Sequence, residues 1–214
     1  MKIVAFVPLK LNNERLPDKN TKRFDNGEPL VKYILDTLNK IDEIEEKFVF
    51  CSQRSIKKYL PNGITYLSRP ETLDLSSTKI NEVIDTFVNI VDADVYVLTH
   101  ATAPFISEKT IKKGIDSVVS GRYDSSFSAQ KLQEFLWNEE GPINYNLENI
   151  PRTQDLVPVY AETTGLYIFT KDLWKNTGRR IGFKPYLIEI SKIEAIDINT
   201  QEDFFLANAL SCKL

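Results

Sequence analysis

The first twenty residues, MKIVAFVPLKLNNERLPDKN (1–20), decide how the rest of the chain is read. The run 3–7 is apolar and rich in β-branched residues, which is typical of a strand buried on both faces of a sheet. A polar segment with three cations, Lys10, Arg15 and Lys19, follows directly. Because ligands of α/β sheets bind beyond the carboxyl ends of the strands, this loop is a candidate site for a small anion. A solvated polar loop is the alternative.

Strand-like and helix-like segments alternate through the first 120 residues. Such alternation predicts an α/β fold with three layers, in which helices cover both faces of a mainly parallel sheet. Strands are expected in KIVAFVPL (2–9), KFVFCS (47–52), ITYL (64–67) and DVYVLT (94–99), and helices at 29–40, 55–60, 79–91 and 107–120.

The pattern changes between residues 123 and 170. DSSFSAQ (124–130), EFLW (134–137) and YAETTGLYIFT (160–170) indicate strands, whereas the residues between the last two are rich in Asn, Pro and Gly. We expect a small β-rich insertion at 135–162 that serves as a dimer contact or a lid, although an ordinary long hairpin would look the same. The whole chain, 1–214, is expected to form a single domain.

The end of the chain has strand and helix signals of its own. PYLIEI (185–190) and AIDI (195–198) indicate strands. A helix is expected after Thr200, with Thr200 as its N-cap and Asp203 at the third helical position.

Composition narrows the function classes. With 42% hydrophobic residues the chain can form a real core, and no stretch approaches the roughly 20 apolar residues that span a bilayer. The N-terminus does not resemble a signal peptide, so a cytoplasmic location is expected. One histidine and two cysteines argue against a multi-histidine metal site and a histidine-based triad. The net charge of −3, with both signs dispersed, argues against a nucleic-acid partner.

Several polar residues are candidates for chemistry. The chain has neither G-x-G-x-x-G nor G-x-x-x-x-G-K-[ST], so phosphate would be bound by side-chain charge. Asp197 and Asn199 flank one residue at a predicted strand end, an arrangement that suits Mg²⁺ but also an ordinary turn. His100 follows a core strand and is either a ligand contact or simply hydrogen-bonded. Considered without the motif around it, Arg152 indicates a surface salt bridge.

Taken in order, five blocks resemble the CMP-acid-sugar synthetases, the cytidylyltransferases that activate sialic acid, related nonulosonic acids and Kdo. VPLKLNNERLPDKN (7–20) resembles I-P-A-R-x-G-S-K-R-L-P-x-K-N without a gap. LSRPETL (67–73) resembles L-x-R-P-x-x-L, and LTHATAPF (98–105) resembles L-Q-P-T-S-P-F. The series is completed by PRTQD (151–155) with GLYIFT (165–170), which resemble R-R-Q-D and G-A-I-Y-I, and by AIDINTQEDFFLA (195–207), which resembles I-D-I-D-x-x-x-D-F-x-L-A.

The resemblance implies a fold of the nucleotide-diphospho-sugar transferase type, a homodimer and a reaction. In that reaction a sugar hydroxyl attacks the α-phosphorus of CTP, pyrophosphate leaves, and a CMP-activated acidic sugar forms for a surface polysaccharide. The implied catalytic residues are Lys19 and Asp197, and the implied Mg²⁺ ligands are Asp197 and Asn199. The implied nucleotide-binding residues are Lys10, Asn13, Arg15, Asn20 and Arg69, and the implied acceptor-binding residues are His100, Arg152, Gln154 and Thr163.

The departures from the family motifs fall into two groups. Those in the phosphate loop and at Asn199 leave open weaker metal binding or lost activity, and those at His100 and Thr163 point to a different acceptor. Lys10 replaces an arginine, Glu14 replaces a lysine, and Asn199 replaces the second metal-binding aspartate. His100 stands where the sialic acid enzymes carry a glutamine, and Thr163 where they carry an asparagine. We therefore expect an acceptor other than N-acetylneuraminate. A phosphorylated acceptor that gives a CDP product, and a non-catalytic nucleotide-binding relative, are the alternatives.

Overall fold

The computed structural model describes residues 1–213 and confirms the predicted α/β fold. Seven strands form one sheet in the order β3-β2-β1-β4-β8-β5-β9, and β6 pairs with β7 in a separate small sheet. Within the main sheet only β8 runs antiparallel to its neighbours. The strands are β1 Ile3–Pro8, β2 Glu46–Cys51, β3 Thr65–Ser68, β4 Val95–Thr99, β5 Ser125–Leu132, β6 Trp137–Asn138, β7 Gly141–Pro142, β8 Val159–Thr170 and β9 Pro185–Ile190.

Helices cover both faces of the main sheet. They are α1 Leu30–Asn39, α2 Ile80–Ile90, α3 Glu108–Val119, α4 Lys171–Thr177 and α5 Gln201–Ser211. Because side chains alternate along a strand, β1 contributes to two cores at once. Ala5 and Val7 pack on the side of α1 and α3, and Val4 and Phe6 pack on the side of α2 and α4. Phe6 stacks on Phe87 of α2, with ring centroids 4.1 Å apart.

A third, smaller cluster fixes the position of the loop after β1. Leu16 of that loop is buried together with Ile198, Phe204 and the first residue of α1, Leu30. Burial of these apolar groups holds the beginning of the chain against its closing segment. Two distant stretches of polar residues are thereby brought to the same edge of the sheet.

Two predicted strands are wrong. Residues 195–198 form no strand: the backbone turns, and the amide of Ile198 donates to the carbonyl oxygen of Thr102, 2.8 Å away, instead of to a neighbouring strand. Of residues 134–137, only Trp137 lies in a strand, the two-residue β6. Both segments are apolar enough to suggest strands, but neither pairs along its length with a strand of the main sheet.

The segment between β5 and β8 differs from the rest of the molecule. It contains the small β6–β7 sheet, and residues 159–162 already belong to β8. Several of its large apolar side chains are exposed: Phe135, Trp137, Ile143, Leu147, Ile150 and Val157. Among the described residues, no helix is long and apolar enough to cross a membrane.

Candidate functional site

The carboxyl ends of β1, β4 and β9 meet at one edge of the sheet, where the predicted site residues follow. Because β8 is antiparallel, its first residues lie at this same edge. Three buried side-chain atoms have no hydrogen-bond partner within residues 1–213: Arg69 Nε, Thr99 Oγ1 and Asp197 Oδ1. Arg69 follows β3, Thr99 ends β4, and Asp197 lies beyond β9. Unpaired buried polar groups are costly, so their concentration at one edge marks a place for a polar ligand.

Lys19 is buried at the centre of this edge. The turn that contains it starts at Asp18, which adopts a left-handed conformation with φ 54°. Lys19 Nζ donates to the carbonyl oxygen of Ile198 at 2.8 Å. Burial lowers the pKa of Lys19, and the negative charge of Asp197 opposes that shift. A largely desolvated ammonium group beside a carboxylate acts more strongly on a bound anion than a cation in water does.

Asn20 and Lys10 organise the rest of the loop. The buried Asn20 donates through Nδ2 to the carbonyl oxygen of Lys10 at 2.8 Å, and Asn13 Oδ1 lies 3.5 Å from the same nitrogen. Lys10 Nζ donates to the carbonyl oxygen of Asp74 at 2.7 Å. The loop is therefore held in shape by hydrogen bonds within itself and to the segment after β3.

Arg69 is part of a buried polar network after β3. Its guanidinium forms an ion pair with Asp74, and both side chains are largely buried. The other carboxylate oxygen of Asp74 accepts a hydrogen bond from Ser52 Oγ at 2.6 Å. This ion pair fixes the guanidinium of Arg69. Within residues 1–213, the buried Nε of Arg69 has no hydrogen-bond partner. Sequence reasoning found Arg69 but missed Asp74, whose role depends on this contact.

Two adjoining cavities lie along these residues. One, of about 200 Å³, is lined mainly by charged and polar side chains, and the second, of about 310 Å³, is lined by apolar and polar side chains together. Lys10 and Ser76 line both, so they meet. The first is lined by Lys10, Asn13, Glu14, Arg15, Leu16, Lys19 and Ser76, and the second by Pro8, Leu9, Lys10, Arg69, Leu73, Leu75, Ser76, Thr78, Ile80 and Val83. A mainly cationic pocket beside a partly apolar one suits a phosphate chain attached to a planar base.

The side chains of Asp197 and Asn199 contact each other. They lie in an irregular segment beyond β9 and not at the end of the strand predicted at 195–198. Asn199 Nδ2 donates to Asp197 Oδ2 at 2.7 Å, while Asp197 Oδ1 is buried and unpaired. Asp203 accepts from the backbone amides of Asn199 and Thr200 and caps α5 together with Thr200, as predicted. Residues 1–213 contain no cluster of three or more His, Cys, Asp or Glu side chains that could hold a metal ion.

His100 lies between cations and a carboxylate. Burial, followed by the positive charge of Arg180, lowers the pKa of His100 to about 4, while Asp197 opposes the shift. The imidazole is therefore neutral at physiological pH. Nearby on β8, the Thr163 hydroxyl lies 2.6 Å from Ser128 Oγ and donates to the Ser128 carbonyl oxygen at 3.0 Å.

Arg152 and Gln154 lie in the exposed segment before β8. Arg152 Nε donates to Asp155 at 2.7 Å, and 71% of the Arg152 side chain is exposed. The backbone oxygen of Gln154 accepts from Gln133 at 2.8 Å. Within residues 1–213, neither side chain forms a hydrogen bond or ion pair with another predicted site residue.

Comparison with known proteins decides the family. The family model described as cytidylyltransferase matches residues 4–203 of this chain. The chain belongs to the cytidylyltransferase family. It is therefore a nucleotidyltransferase, as the sequence motifs predicted.

The names of several relatives of this cytidylyltransferase refer to acidic sugars. The CMP-N,N'-diacetyllegionaminic acid synthase of Legionella pneumophila is 26% identical over 227 residues, covering 98% of this chain and 96% of the relative. The N-acylneuraminate cytidylyltransferase A of Danio rerio is 24% identical, covering 96% of this chain and 50% of the relative. The CMP:2-keto-3-deoxy-manno-octonic acid synthetase, solved with CTP, has the same fold, with a TM-score of 0.75 at 13% identity over 100% of this chain and 99% of that one.

Proposed function

We propose that this cytidylyltransferase transfers CMP from CTP to an acidic sugar and releases pyrophosphate. The observation that carries the proposal is the set of buried atoms without a partner in residues 1–213, Arg69 Nε, Thr99 Oγ1 and Asp197 Oδ1, at one edge of the sheet. Arg69 also lines the second of the two adjoining cavities at this edge. The named activities of the relatives supply the acceptor class. Its product would serve a surface polysaccharide, and its place of action would be the cytoplasm.

The chain's own residues would act mainly by holding charge in place. Lys10, Arg15 and Lys19 would bind the triphosphate, and Asn13 and Asn20 would keep their loop in position. Arg69 would face the base through its free Nε. Lys19 would stabilise the negative charge that develops on the phosphoryl and leaving-group oxygens. Such a transfer needs positioning and preorganised charge more than covalent help.

We further propose that Mg²⁺ binds at Asp197. The unpaired, buried Asp197 Oδ1 fits a hard cation, and Asn199 would add a neutral oxygen if its amide turned from its present bond to Asp197 Oδ2. Bound there with CTP, the ion would neutralise phosphate charge. With one carboxylate and one amide, binding of the free ion should be weak.

The acceptor would lie beside His100 and Thr163, at the β4 and β8 side of the edge. A neutral His100 would offer hydrogen bonds without adding charge. Arg152 and Gln154 remain the proposed acceptor contacts from the motif PRTQD, which would require the exposed segment 133–158 to close over the site or to meet a second subunit.

The first experiment is thermal unfolding with each of the four nucleoside triphosphates, with and without Mg²⁺. A ligand at about 100 times its Kd stabilises by roughly 2.7 kcal/mol, which raises Tm by several degrees. A shift with CTP alone supports the proposal, and pyrophosphate release in an acceptor screen then tests the sugar class. No shift with any nucleotide favours the non-catalytic alternative, which Glu14 and Asn199 suggest.

A second candidate function keeps CTP but uses a phosphorylated acceptor and gives a CDP product. The replacements at His100 and Thr163 favour it. The same screen decides between the two, since pyrophosphate release with phosphorylated acceptors and with no free acid sugar would support this alternative.

We also propose a homodimer formed by the segment 133–158. Its exposed apolar side chains, Trp137 at 57% and Ile150 at 60% among them, are typical of an interface. Sedimentation at micromolar concentration should give a dimer mass, and Trp137→Ser should weaken the dimer. A wild-type monomer would contradict the proposal.

A further inference from the structure

Arg180 is a charged residue at the functional edge that the motifs do not identify. Gly178 ends α4 in a left-handed conformation, and Arg180 lies two residues after it. Its guanidinium carbon lies 3.8 Å from the centroid of the Tyr167 ring, and Nη2 donates to Tyr167 Oη at 3.1 Å. Only 23% of the side chain is exposed. The buried Tyr167 of β8 therefore fixes the position of the Arg180 guanidinium, which would otherwise move freely at the surface.

A second residue of β8 completes this arrangement. Tyr167 Oη donates to Glu162 Oε1 at 2.5 Å, and Arg180 Nη2 lies 3.5 Å from the same oxygen. Burial and this hydrogen bond raise the pKa of Tyr167, so its hydroxyl stays protonated as a donor. All the assigned polar contacts of Arg180 thus involve Nη2. Its Nε and Nη1 have no hydrogen-bond partner within residues 1–213 and are not among the fully buried unpaired atoms, so both retain some access to solvent.

Arg180 lies close to the proposed reacting groups. Tyr167 pairs with Leu98 in the sheet, and its neighbour Leu166 pairs with Thr99, the residue just before His100. The positive charge of Arg180 acts on the pKa of the His100 imidazole, as do the charges of Asp197 and Lys19. Arg180 therefore shares one electrostatic neighbourhood with the residues assigned to the phosphate.

The chemistry of a 2-keto acid sugar requires a cation in this neighbourhood. The anomeric carbon carries both the hydroxyl that would attack the α-phosphorus and the carboxylate. When that hydroxyl reaches the phosphate, the carboxylate must lie one carbon away, beside the same protein groups. A guanidinium with free N–H groups can bind it through paired hydrogen bonds.

We propose that Arg180 binds the carboxylate of the acceptor, with Tyr167 and Glu162 as positioning residues. The inference rests on the proposed acid-sugar function and assigns the role to a residue other than Arg152. A purely structural role, in which Arg180 only packs on Tyr167, would affect stability but not the preference for a charged acceptor.

The test measures binding of Kdo and of N,N'-diacetyllegionaminic acid, each as the free acid and as its methyl ester. Saturation-transfer NMR with CTP and without Mg²⁺ separates binding from turnover. The wild type should bind at least one acid tighter than its ester by about tenfold or more. Arg180→Ala should abolish that preference, and Arg180→Lys should keep part of it. The matched variant Arg179→Ala, at the exposed neighbouring arginine, should keep all of it.

Two further measurements separate positioning from folding. Tyr167→Phe keeps the ring but removes the hydroxyl, and it should weaken acid binding several-fold while the CTP-induced rise in Tm stays unchanged. Thermal unfolding of each variant identifies any that fails to fold. If Arg180→Ala fails to fold, the acid preference of Arg180→Lys is used in its place.

Several outcomes would overturn the assignment of Arg180. One is an unchanged acid preference in Arg180→Ala, and another is loss of the preference in Arg152→Ala instead. A wild type that binds CTP but distinguishes neither acid from its ester also overturns it, yet leaves nucleotide binding intact. Failure to bind CTP itself would instead reject the proposed function, and the Arg180 assignment with it.

Discussion

The proposed nucleotide side and the proposed acceptor side of the edge are built differently. Around β1 to β3, Asn20 and Arg69 are buried and hydrogen-bonded within their own loops, so this side is shaped before any ligand arrives. In the segment before β8, Arg152 is exposed and pairs only with Asp155. Preorganised groups bind with little loss of freedom, whereas exposed ones must be ordered first. The comparison indicates that the side chains around β1 to β3 are held in place within one chain, whereas Arg152 would have to be ordered by the binding or assembly proposed above.

The largest expected effect tests whether the nucleotide side is rigid. Asp74→Ala removes the partner of the buried Arg69 and leaves its charge uncompensated. Breaking a buried pair in this way costs about 3–5 kcal/mol of unfolding free energy. Urea unfolding measures the loss, and the CTP-induced rise in Tm should disappear. A loss below about 1 kcal/mol would mean that the pair behaves like a surface pair.

The next effect concerns Lys19, where the two sides meet. Lys19→Met should lower kcat/KM for pyrophosphate release by about 10²- to 10³-fold, because a preorganised donor to the developing charge is lost. The matched control is Lys58→Met, at an exposed lysine on the 3₁₀ helix Arg54–Tyr59. Equal, small losses in the two variants would remove Lys19 from its proposed role.

His100 offers a test by pH on the border between the two sides. Its folded pKa of about 4 lies below the ordinary 6.5, so the unfolded chain binds more protons between these values. Stability therefore rises with pH across this window, by up to about 3 kcal/mol, and the contribution is constant above it. Protonation of carboxylates also changes protein stability at acid pH in general. The measurement is therefore the difference in unfolding free energy between wild type and His100→Gln from pH 4 to 7.

A difference that does not change with pH would show that His100 ionises alike in the folded and unfolded chains. That result would contradict the burial of the imidazole and the effect of the Arg180 charge on its pKa.

The smallest effect belongs to the exposed pair on the acceptor side. Asp155→Ala removes the partner of Arg152, whose side chain is mostly in solvent. Exposed pairs contribute about 0–1 kcal/mol, so urea unfolding should change by no more than that. Beside Asp74→Ala, this variant gives the comparison a matched pair of carboxylate deletions. A loss as large as that at Asp74 would show that the segment is already tightly packed.

Local sequence patterns predicted much of the fold. Ser107 accepts from the amide of Thr110 at the start of α3, and Thr200 and Asp203 form the capping box of α5. These features depend on neighbours three residues apart, which a sequence displays directly. The predicted strand at 195–198 was wrong because strand formation needs a partner at hydrogen-bonding distance, and apolar composition does not supply one.

The sequence by itself determined the alternation of strands and helices, the cationic loop after β1 and the motifs that led to the cytidylyltransferase family. Only the tertiary structure decided that β8 runs antiparallel, that Asp74 holds Arg69, and that Arg180 lies on Tyr167 near His100. The physical reason is distance along the chain. Propensities and caps act over a few residues, whereas these contacts join residues whose meeting depends on how the whole sheet is ordered.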